Sequence, residues 1–144
     1  MKIFVCGMCG HIEFNEAPDK CPACGAPRSQ FKQNDQVFEE AAAKSKEAAV
    51  KHIPAVQVNH VCGLVPENDC IDLIVRVGET LHPMTPEHYI QFIDCYLDHV
   101  YAGRMLLTPA MNPAVIFHLK DKGAKVQIVE FCNLHGHWMS ESAL

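Results

Sequence analysis

The pattern of apolar and polar residues divides the chain into three stretches. Residues 1–34 are rich in Gly, Pro and Cys and poor in large aliphatic residues. Residues 36–50 read QVFEEAAAKSKEAAV, and this composition, without Gly or Pro, predicts a helix with a narrow apolar stripe. From about Val56 onward, short runs of Val, Ile and aromatic residues are separated by turn residues, and several alternate with period two. Such runs are typical of β-strands.

The strand-like runs predict an antiparallel β-sandwich. LKDKGAKV predicts a hairpin with Lys122 and Gly123 near its tip. We therefore expect a small module over 1–34, a helical linker over 35–50 and a sandwich domain over 51–144. The runs are VQVNHV (56–61), IDLIVRV (71–77), IQFIDCYL (90–97), VYAGRMLL (100–107), AVIFHL (114–119) and KVQIVEF (125–131).

Composition narrows the classes of function. The 144 residues carry a net charge of −5 with scattered basic residues, which argues against a nucleic-acid partner. No apolar run approaches the roughly 20 residues of a membrane span. The N-terminus, MKIFVCGMCG, is too short in apolar residues for an export signal, so we expect a cytoplasmic protein. Because cytosolic thiols stay reduced, eight cysteines and nine histidines indicate metal sites rather than disulfides.

The first candidate metal site consists of two Cys-x2-Cys pairs, each followed by glycine: CGMCG and CPACG. Cys6, Cys9, Cys21 and Cys24 would close a tetrahedral shell of thiolates around zinc or iron. Glycine after each pair allows a tight backbone turn. The metal would stabilise a stretch too short to bury a sufficient core. Spacing alone leaves a structural zinc ribbon and an iron site both open.

This stretch resembles the rubredoxin-like module of rubredoxins and rubrerythrins. In that family four cysteines hold one iron that carries electrons. The resemblance favours iron and electron transfer for this site, with zinc as the alternative. Two-iron superoxide reductases usually begin with a desulforedoxin module, whose second pair of cysteines is adjacent. Here that pair is Cys21-x2-Cys24, as in rubredoxin.

The second candidate site draws on three separate segments: KHIP (51–54), HPMTPEHYI (82–90) and CNLHGHW (132–138). In the middle segment, Thr85 as a cap and Pro86 at the first position predict a short helical turn. Such a turn would bring the two histidines of this segment to one end of the sandwich.

In this order the three segments resemble the active-site segments of superoxide reductases, the neelaredoxin and desulfoferrodoxin family. The resemblance implies an immunoglobulin-like β-sandwich and one-electron reduction of superoxide to hydrogen peroxide at a mononuclear iron. Lys51 would attract the anion and help to supply a proton. A rubredoxin as electron donor and a homo-oligomer are further implications. The implied iron ligands are His52, His82, His88 and His135 in the equatorial plane and Cys132 as the axial thiolate.

One position departs from the family pattern. Many members carry glutamate directly before the lysine, where this chain has Val50. Glu47 would lie about one helical turn away. We therefore expect water or hydroxide, or a carboxylate from elsewhere, as the sixth ligand of the oxidised iron.

Other Cys and His residues have simpler interpretations. Cys62, Cys70 and Cys95 are predicted to be small buried hydrophobic residues, with a reversible Cys62–Cys70 disulfide as an alternative. His137 is expected to be a neighbour of the site or a surface residue rather than a ligand, and Trp138 is expected to pack over the site. Surface or edge-strand positions are expected for His11, His60, His99 and His118. Two other functions stay open: a non-catalytic iron carrier or sensor, and a zinc-stabilised interaction module.

Overall fold

In a computed structural model, residues 1–44, 48–67, 69–120 and 123–144 of the protein are described, and β-strands dominate. Three short strands form an N-terminal sheet in the order β2-β1-β3. They are β1 (Ile3–Cys6), β2 (Ile12–Phe14) and β3 (Phe31–Gln33).

Seven further strands form the predicted sandwich of two antiparallel sheets. One sheet has the order β10-β9-β6-β7 and the other β4-β5-β8. Their inner faces enclose one apolar core, which includes Leu73, Val75, Ile93 and Ile128. The strands are β4 (Pro54–Asn59), β5 (Ile71–Val77), β6 (Ile90–Leu97), β7 (Val100–Leu106), β8 (Ala114–Leu119), β9 (Lys125–Cys132) and β10 (Gly136–Ala143).

Strand β6 is buried on both faces because the N-terminal module covers the outside of its sheet. Ile93 and Cys95 point into the sandwich core. The neighbouring Tyr96 packs instead against Ile12 and Phe14 of the module. Successive side chains of a strand alternate between faces, so this strand serves two cores at once. The module is therefore held by apolar packing as well as by its cysteines.

Two short helices connect the module to the sandwich. They are α1 (Val37–Lys44) and α2 (Ala48–His52). A single helix was expected over 36–50, and residues 45–47 lie outside the described part of the chain. Ala41 of α1 packs against the buried Trp138 of β10. Among the described residues, no helix has the length and apolarity needed to cross a membrane.

The predicted hairpin at LKDKGAKV is wrong. β8 pairs with β5 in one sheet, whereas β9 pairs with β6 and β10 in the other. The connection after β8 therefore crosses between the sheets, and Lys122 lies outside the described residues. Alternation within each run identified the strands but carries no information on which strands pair. Strand β10 was not among the predicted strands.

Candidate metal centres

The two Cys-x2-Cys-Gly loops adopt the same local structure. The amides of Gly10 and Gly25 donate to the carbonyls of Cys6 and Cys21, at 2.9 and 2.8 Å. Both glycines have φ near +80°, the left-handed region that residues with a Cβ rarely adopt. This confirms the expected role of glycine in closing each loop.

The four cysteine sulfurs form a cluster of tetrahedral size. The Cys6–Cys24 and Cys9–Cys21 sulfurs lie 3.8 and 3.7 Å apart. A metal–thiolate distance of about 2.3 Å gives a tetrahedral edge of about 3.8 Å, so the spacing fits one ion. Burial raises the pKa of Cys9 to about 12, whereas the backbone amide of Ala26 lowers that of the exposed Cys24.

Five other donors meet beside the sandwich, and they are the five that the sequence indicated. Their donor atoms all lie within 4.8 Å of one another. Helix α2 carries the first, the β5–β6 connection carries two, the end of β9 carries the cysteine, and the β9–β10 turn carries the last histidine. The cluster consists of His52, His82, His88, Cys132 and His135.

The four imidazoles surround a centre in the order 52, 82, 88, 135. Neighbouring ring centroids around this circuit are 4.5, 4.6, 4.9 and 4.9 Å apart, and neighbouring rings cross at 72° to 80°. The opposed pair, His52 and His88, is separated by 6.3 Å. Nearly equal edges and a longer diagonal describe a square, which is the equatorial arrangement that the resemblance implied.

The hydrogen bonding of His82 and His88 leaves one ring nitrogen of each free to bind a metal. The Nδ1 of His82 donates to the carbonyl of Pro83 at 2.6 Å, which leaves its Nε2 lone pair free for a metal. That Nε2 lies 3.0 Å from Nε2 of His52. With metal–nitrogen distances of about 2.1 Å, adjacent ligands at 90° are about 3.0 Å apart. The buried Nε2 of His88 has no hydrogen-bond partner among the described residues, as expected for a ligand atom.

The electrostatics of the cluster keep its imidazoles available for metal binding. Burial lowers the pKa of His82 to about 4 and that of His88 below its usual value, so both rings are neutral near pH 7. The nearby His135 and Lys51 add to the shift in the pKa of His88. Burial raises the pKa of Cys132, and the backbone amides of Leu134 and His135 oppose that rise. The sulfur of Cys132 lies 3.6 Å from Nδ1 of His135.

The position of α2 depends on close packing against the β5–β6 connection. A Cβ on Gly78 would lie 2.6 Å from the carbonyl carbon of Lys51 and 2.7 Å from the carbonyl oxygen of Val50. The amide of Thr80 donates to that same Val50 carbonyl at 3.1 Å. These contacts fix the end of α2, and with it His52 and Lys51. Gly78 was not identified from the sequence.

The turn between His82 and His88 differs from the predicted helical turn. Thr85 and His88 exchange two backbone hydrogen bonds of 3.0 and 3.1 Å, which makes a tight β-turn. The Thr85 hydroxyl bonds the backbone of His88 rather than capping a helix. The two imidazoles nevertheless reach the same cluster, because the turn reverses the chain.

A buried ionic network joins the N-terminal module to the sandwich. His11, predicted at the surface, is fully buried, and its two ring nitrogens face Asp94 at 3.4 Å and Glu13 at 3.0 Å. Burial alone would lower the pKa of His11, but these two carboxylates raise it. Arg104 binds Asp94 through two hydrogen bonds of 2.7 and 2.8 Å and reaches the carbonyl of Cys9 at 3.3 Å. Asp94 is a charged residue inside the apolar run IQFIDCYL, and this was the sequence signal for a buried partner of opposite charge.

His137 connects the loops of the two clusters. Its buried ring donates from Nε2 to the carbonyl of Gly10 at 2.7 Å. Gly10 follows ligand Cys9, and His137 is two residues after ligand His135. His137 is therefore a buried neighbour of the site and not a surface residue, and it is outside the ligand cluster, as predicted.

Two buried polar side chains, Glu130 and Trp138, lie near the His4Cys cluster. Glu130, two residues before Cys132, is fully buried, and burial raises its pKa well above the usual value. Its carboxyl oxygens have no hydrogen-bond partner among the described residues, and its cross-strand neighbour is Trp138. The Trp138 ring stacks on His52, with centroids 4.9 Å apart, so it packs over the site as expected. Glu130 was not identified from the sequence.

The remaining thiols and imidazoles are divided between core and surface. Cys95 is buried in the sandwich core, as predicted. Cys70 is buried and Cys62 half-buried, and both are free thiols rather than a disulfide. They lie close to Asp72 and to His118 of the edge strand β8.

Two protein-family models and several known proteins match the sequence of this chain. The family model for desulfoferrodoxin matches residues 42–141, and that for the rubredoxin-like domain of rubrerythrin matches residues 4–32. Desulfoferrodoxin from Syntrophotalea carbinolica is 32% identical over 143 residues, covering 98% of this chain and 96% of the relative. Superoxide reductase from Pyrococcus horikoshii is 31% identical over 106 residues, covering 65% and 87% respectively.

Solved structures agree with these matches. Superoxide reductase (neelaredoxin) from Ignicoccus hospitalis aligns with a TM-score of 0.59 and 25% identity, covering 76% of this chain and 94% of that one. The enzyme from Treponema pallidum aligns with a TM-score of 0.53 and 34% identity, covering 65% and 66%. The five donors form a His4Cys iron site, and the four cysteines of the N-terminal module form a rubredoxin-like four-cysteine site. The chain belongs to the desulfoferrodoxin family and carries a rubredoxin-like module at its N-terminal end.

Proposed function

We propose that this protein is a superoxide reductase, which reduces superoxide to hydrogen peroxide in its His4Cys site. The observation that carries the proposal is the square of four imidazoles with one cysteine sulfur beside it. Five protein donors leave one octahedral position without a ligand from the described cluster. Relatives of similar sequence and fold are superoxide reductases by name, which supports the same activity here.

The charge of the site suits an anionic substrate. Bound ferrous iron would supply the single electron, and with four neutral imidazoles and one thiolate the centre has a net charge of +1. The exposed Lys51 adds a positive charge close enough to His88 to lower its pKa. A charge pair at 4 Å contributes about 1 kcal/mol in water and about 4 kcal/mol at an effective dielectric of 20. Lys51 therefore assists encounter more than tight binding.

The reaction also needs protons. Superoxide, one electron and two protons give hydrogen peroxide. We propose that a water molecule held at Nζ of Lys51 donates one of these protons. The Lys51 ammonium is exposed at the end of α2, beside the ligand His52.

The presence of Val50 bears on which group can be the sixth ligand of the iron. Val50 is about half exposed and replaces the glutamate that many family members have. No carboxylate belongs to the described ligand cluster, and Glu47 lies outside the described residues. With ferric iron bound, we expect water or hydroxide as the remaining ligand. A pH titration of its thiolate charge-transfer band should show hydroxide formation, and a carboxylate-bound form would contradict this.

The N-terminal module would deliver the electron. We propose iron in the four-cysteine site, with the route Cys9–Gly10 to His137 and then along the backbone to His135, because the Gly10–His137 hydrogen bond spans the gap between the loops. A rubredoxin remains our proposed external donor, and a homo-oligomer our proposed assembly. A reducing cytoplasm would keep the thiols available as ligands.

Pulse radiolysis of the reduced, iron-loaded protein tests the function. Superoxide should oxidise the His4Cys iron at a rate near the diffusion limit and release one peroxide per electron, detected by a peroxidase assay. Lys51→Ala should slow this step, whereas Lys44→Ala, which changes an exposed lysine at the end of α1, should not. Slow oxidation without peroxide would indicate a sensor or carrier. Zinc in both sites would indicate an interaction module.

A further inference from the structure

Four potential metal ligands meet away from both the His4Cys site and the four-cysteine site. Cys62, Cys70, Asp72 and His118 each offer one donor atom, and these four atoms lie within 4.8 Å of one another. Nothing in the proposed reaction uses them. They come from three places: the β4–β5 connection, strand β5 and the edge strand β8.

The spacing of the donor atoms suits a single tetrahedral ion. Nδ1 of His118 lies 3.5 Å from the sulfur of Cys62 and 3.8 Å from that of Cys70. The Cys70 sulfur is 3.6 Å from Oδ1 of Asp72. With metal–sulfur distances of about 2.3 Å and metal–nitrogen or metal–oxygen distances of about 2.0–2.1 Å, tetrahedral sulfur–nitrogen and sulfur–oxygen edges are about 3.5 Å. For Nδ1 of His118 to bind the ion, the ring would carry its proton on Nε2 instead, and the present 2.8 Å separation from Asp72 would open by about 0.5 Å.

The sheet holds two of these ligands in register. Asp72 and His118 are directly opposed on the antiparallel strands β5 and β8. Cys70 immediately precedes β5, and Cys62 follows the end of β4. Rigid strands thus position the histidine and the carboxylate, and the connection folds back to bring in both thiols.

The cluster is remote from the His4Cys site. Asp72 is near the start of β5, whereas Val77 at its other end adjoins Gly78 and helix α2. Five residues of strand span about 17 Å. An ion here would hold the β4–β5 connection against the edge strand and would not take part in the reaction with superoxide.

A disulfide explains less of the arrangement. It would use the two thiols alone, and both are free in the structure. It would also give no role to Asp72 and His118, which approach the same point from two strands.

We propose that Cys62, Cys70, Asp72 and His118 form a structural zinc site that ties the β4–β5 connection to the edge of the sandwich. Two thiolates with one imidazole and one carboxylate are a donor set that zinc accepts, and the thiolates select it over hard cations. Binding releases both thiol protons, so the cluster keeps a net charge of −1. The site requires neither the proposed activity nor iron.

Metal analysis of the iron-loaded protein tests the proposal. The reduced holoprotein is incubated with Zn²⁺, dialysed anaerobically, and analysed for iron and zinc by mass spectrometry. We expect about one zinc ion per chain in addition to both irons. The double variant Cys62→Ser/Cys70→Ser and the single variant His118→Ala should each lose this zinc and keep both irons. His60→Ala, a change at an exposed histidine of the same connection, should retain the zinc.

Three results would overturn the assignment. They are zinc absent after dialysis, zinc retained by the double variant, and zinc gained only as iron leaves the four-cysteine site. A mass about 2 Da below that of the thiol form in anaerobically purified protein would instead establish the Cys62–Cys70 disulfide. Iron retention in each variant shows that the chain has folded, so a loss of zinc cannot be attributed to misfolding.

Discussion

The four-cysteine and His4Cys clusters differ both in their donor atoms and in how the chain assembles them. All four cysteines of the first lie within residues 6–24, on two loops with matching hydrogen bonds. The second draws its donors from residues 52–135, on a helix, a connection and a strand turn. The first is thus largely a local structure, whereas the second exists only when the sandwich has folded. Substitutions that disturb tertiary packing should therefore damage the two sites unequally.

The largest expected effect is at Cys132, the one sulfur ligand of the His4Cys site. Cys132→Ser should abolish the thiolate-to-iron band of that site and weaken iron binding by more than the 10–100-fold typical of supporting residues. The spectrum of the four-cysteine site should stay unchanged, because its ligands come from another part of the chain. Visible spectra and iron counts of the oxidised protein measure both. Loss of the two spectra together would mean that the sites are not independent.

The next effect is at the ionic network between module and sandwich. Asp94→Ala would leave Arg104 and His11 buried without their carboxylate, which should lower the free energy of unfolding by about 3–5 kcal/mol. The exposed pair of Glu16 with Arg28 is the control, and Glu16→Ala should cost at most about 1 kcal/mol. Chemical denaturation gives both values. Equal losses would show that burial does not strengthen the network.

A smaller effect is expected where α2 packs on the β5–β6 connection. In Gly78→Ala the new methyl group would collide with the backbone of Lys51, at a cost of about 1–3 kcal/mol, and would displace His52. Iron affinity should fall at the His4Cys site alone. Gly103→Ala is the matched control, because its Cβ would meet no atom within 4 Å. Equal iron titrations of these two variants would show that Gly78 does not position His52.

The smallest effect on stability, though not on rate, is expected at His137. Replacing it with phenylalanine removes one hydrogen bond to Gly10, worth about 0.5–1.5 kcal/mol. Oxidation of the His4Cys iron by superoxide should keep its rate, while re-reduction from the four-cysteine site should slow. Stopped-flow spectroscopy follows both steps. His137→Gln keeps an N–H donor and should restore the transfer, and equal transfer rates in all three proteins would exclude this route.

The four-cysteine cluster could be predicted from the sequence because its ligands lie close together along the chain. Spacing and glycines specify the two cysteine loops almost completely. Strand positions were also predictable, and IDLIVRV, IQFIDCYL and AVIFHL match β5, β6 and β8 residue for residue. The pairing of β8 with β5 was not, because alternation shows which faces are buried and not which strand lies alongside.

The His4Cys ligands were predicted through resemblance and not through spacing. No local rule places His52 beside His135, so their meeting depends on the whole sandwich. The same limit explains why His11 was misplaced at the surface and why Gly78 and Glu130 were missed. His11 contacts Asp94 and Gly78 packs against Lys51, both remote in sequence, and the burial of Glu130 exists only in the folded sandwich.

The cysteines of the N-terminal module differ in exposure, so the module has one side open to solvent and one side that faces the sandwich. Cys24 is open to solvent, whereas Cys9 faces the sandwich through Gly10 and Arg104. In the function proposed above, an electron donor would bind at the exposed Cys24 and superoxide at the four imidazoles, so the two would use separate surfaces. Binding of one would then not require release of the other, which would allow re-reduction to begin before peroxide has left.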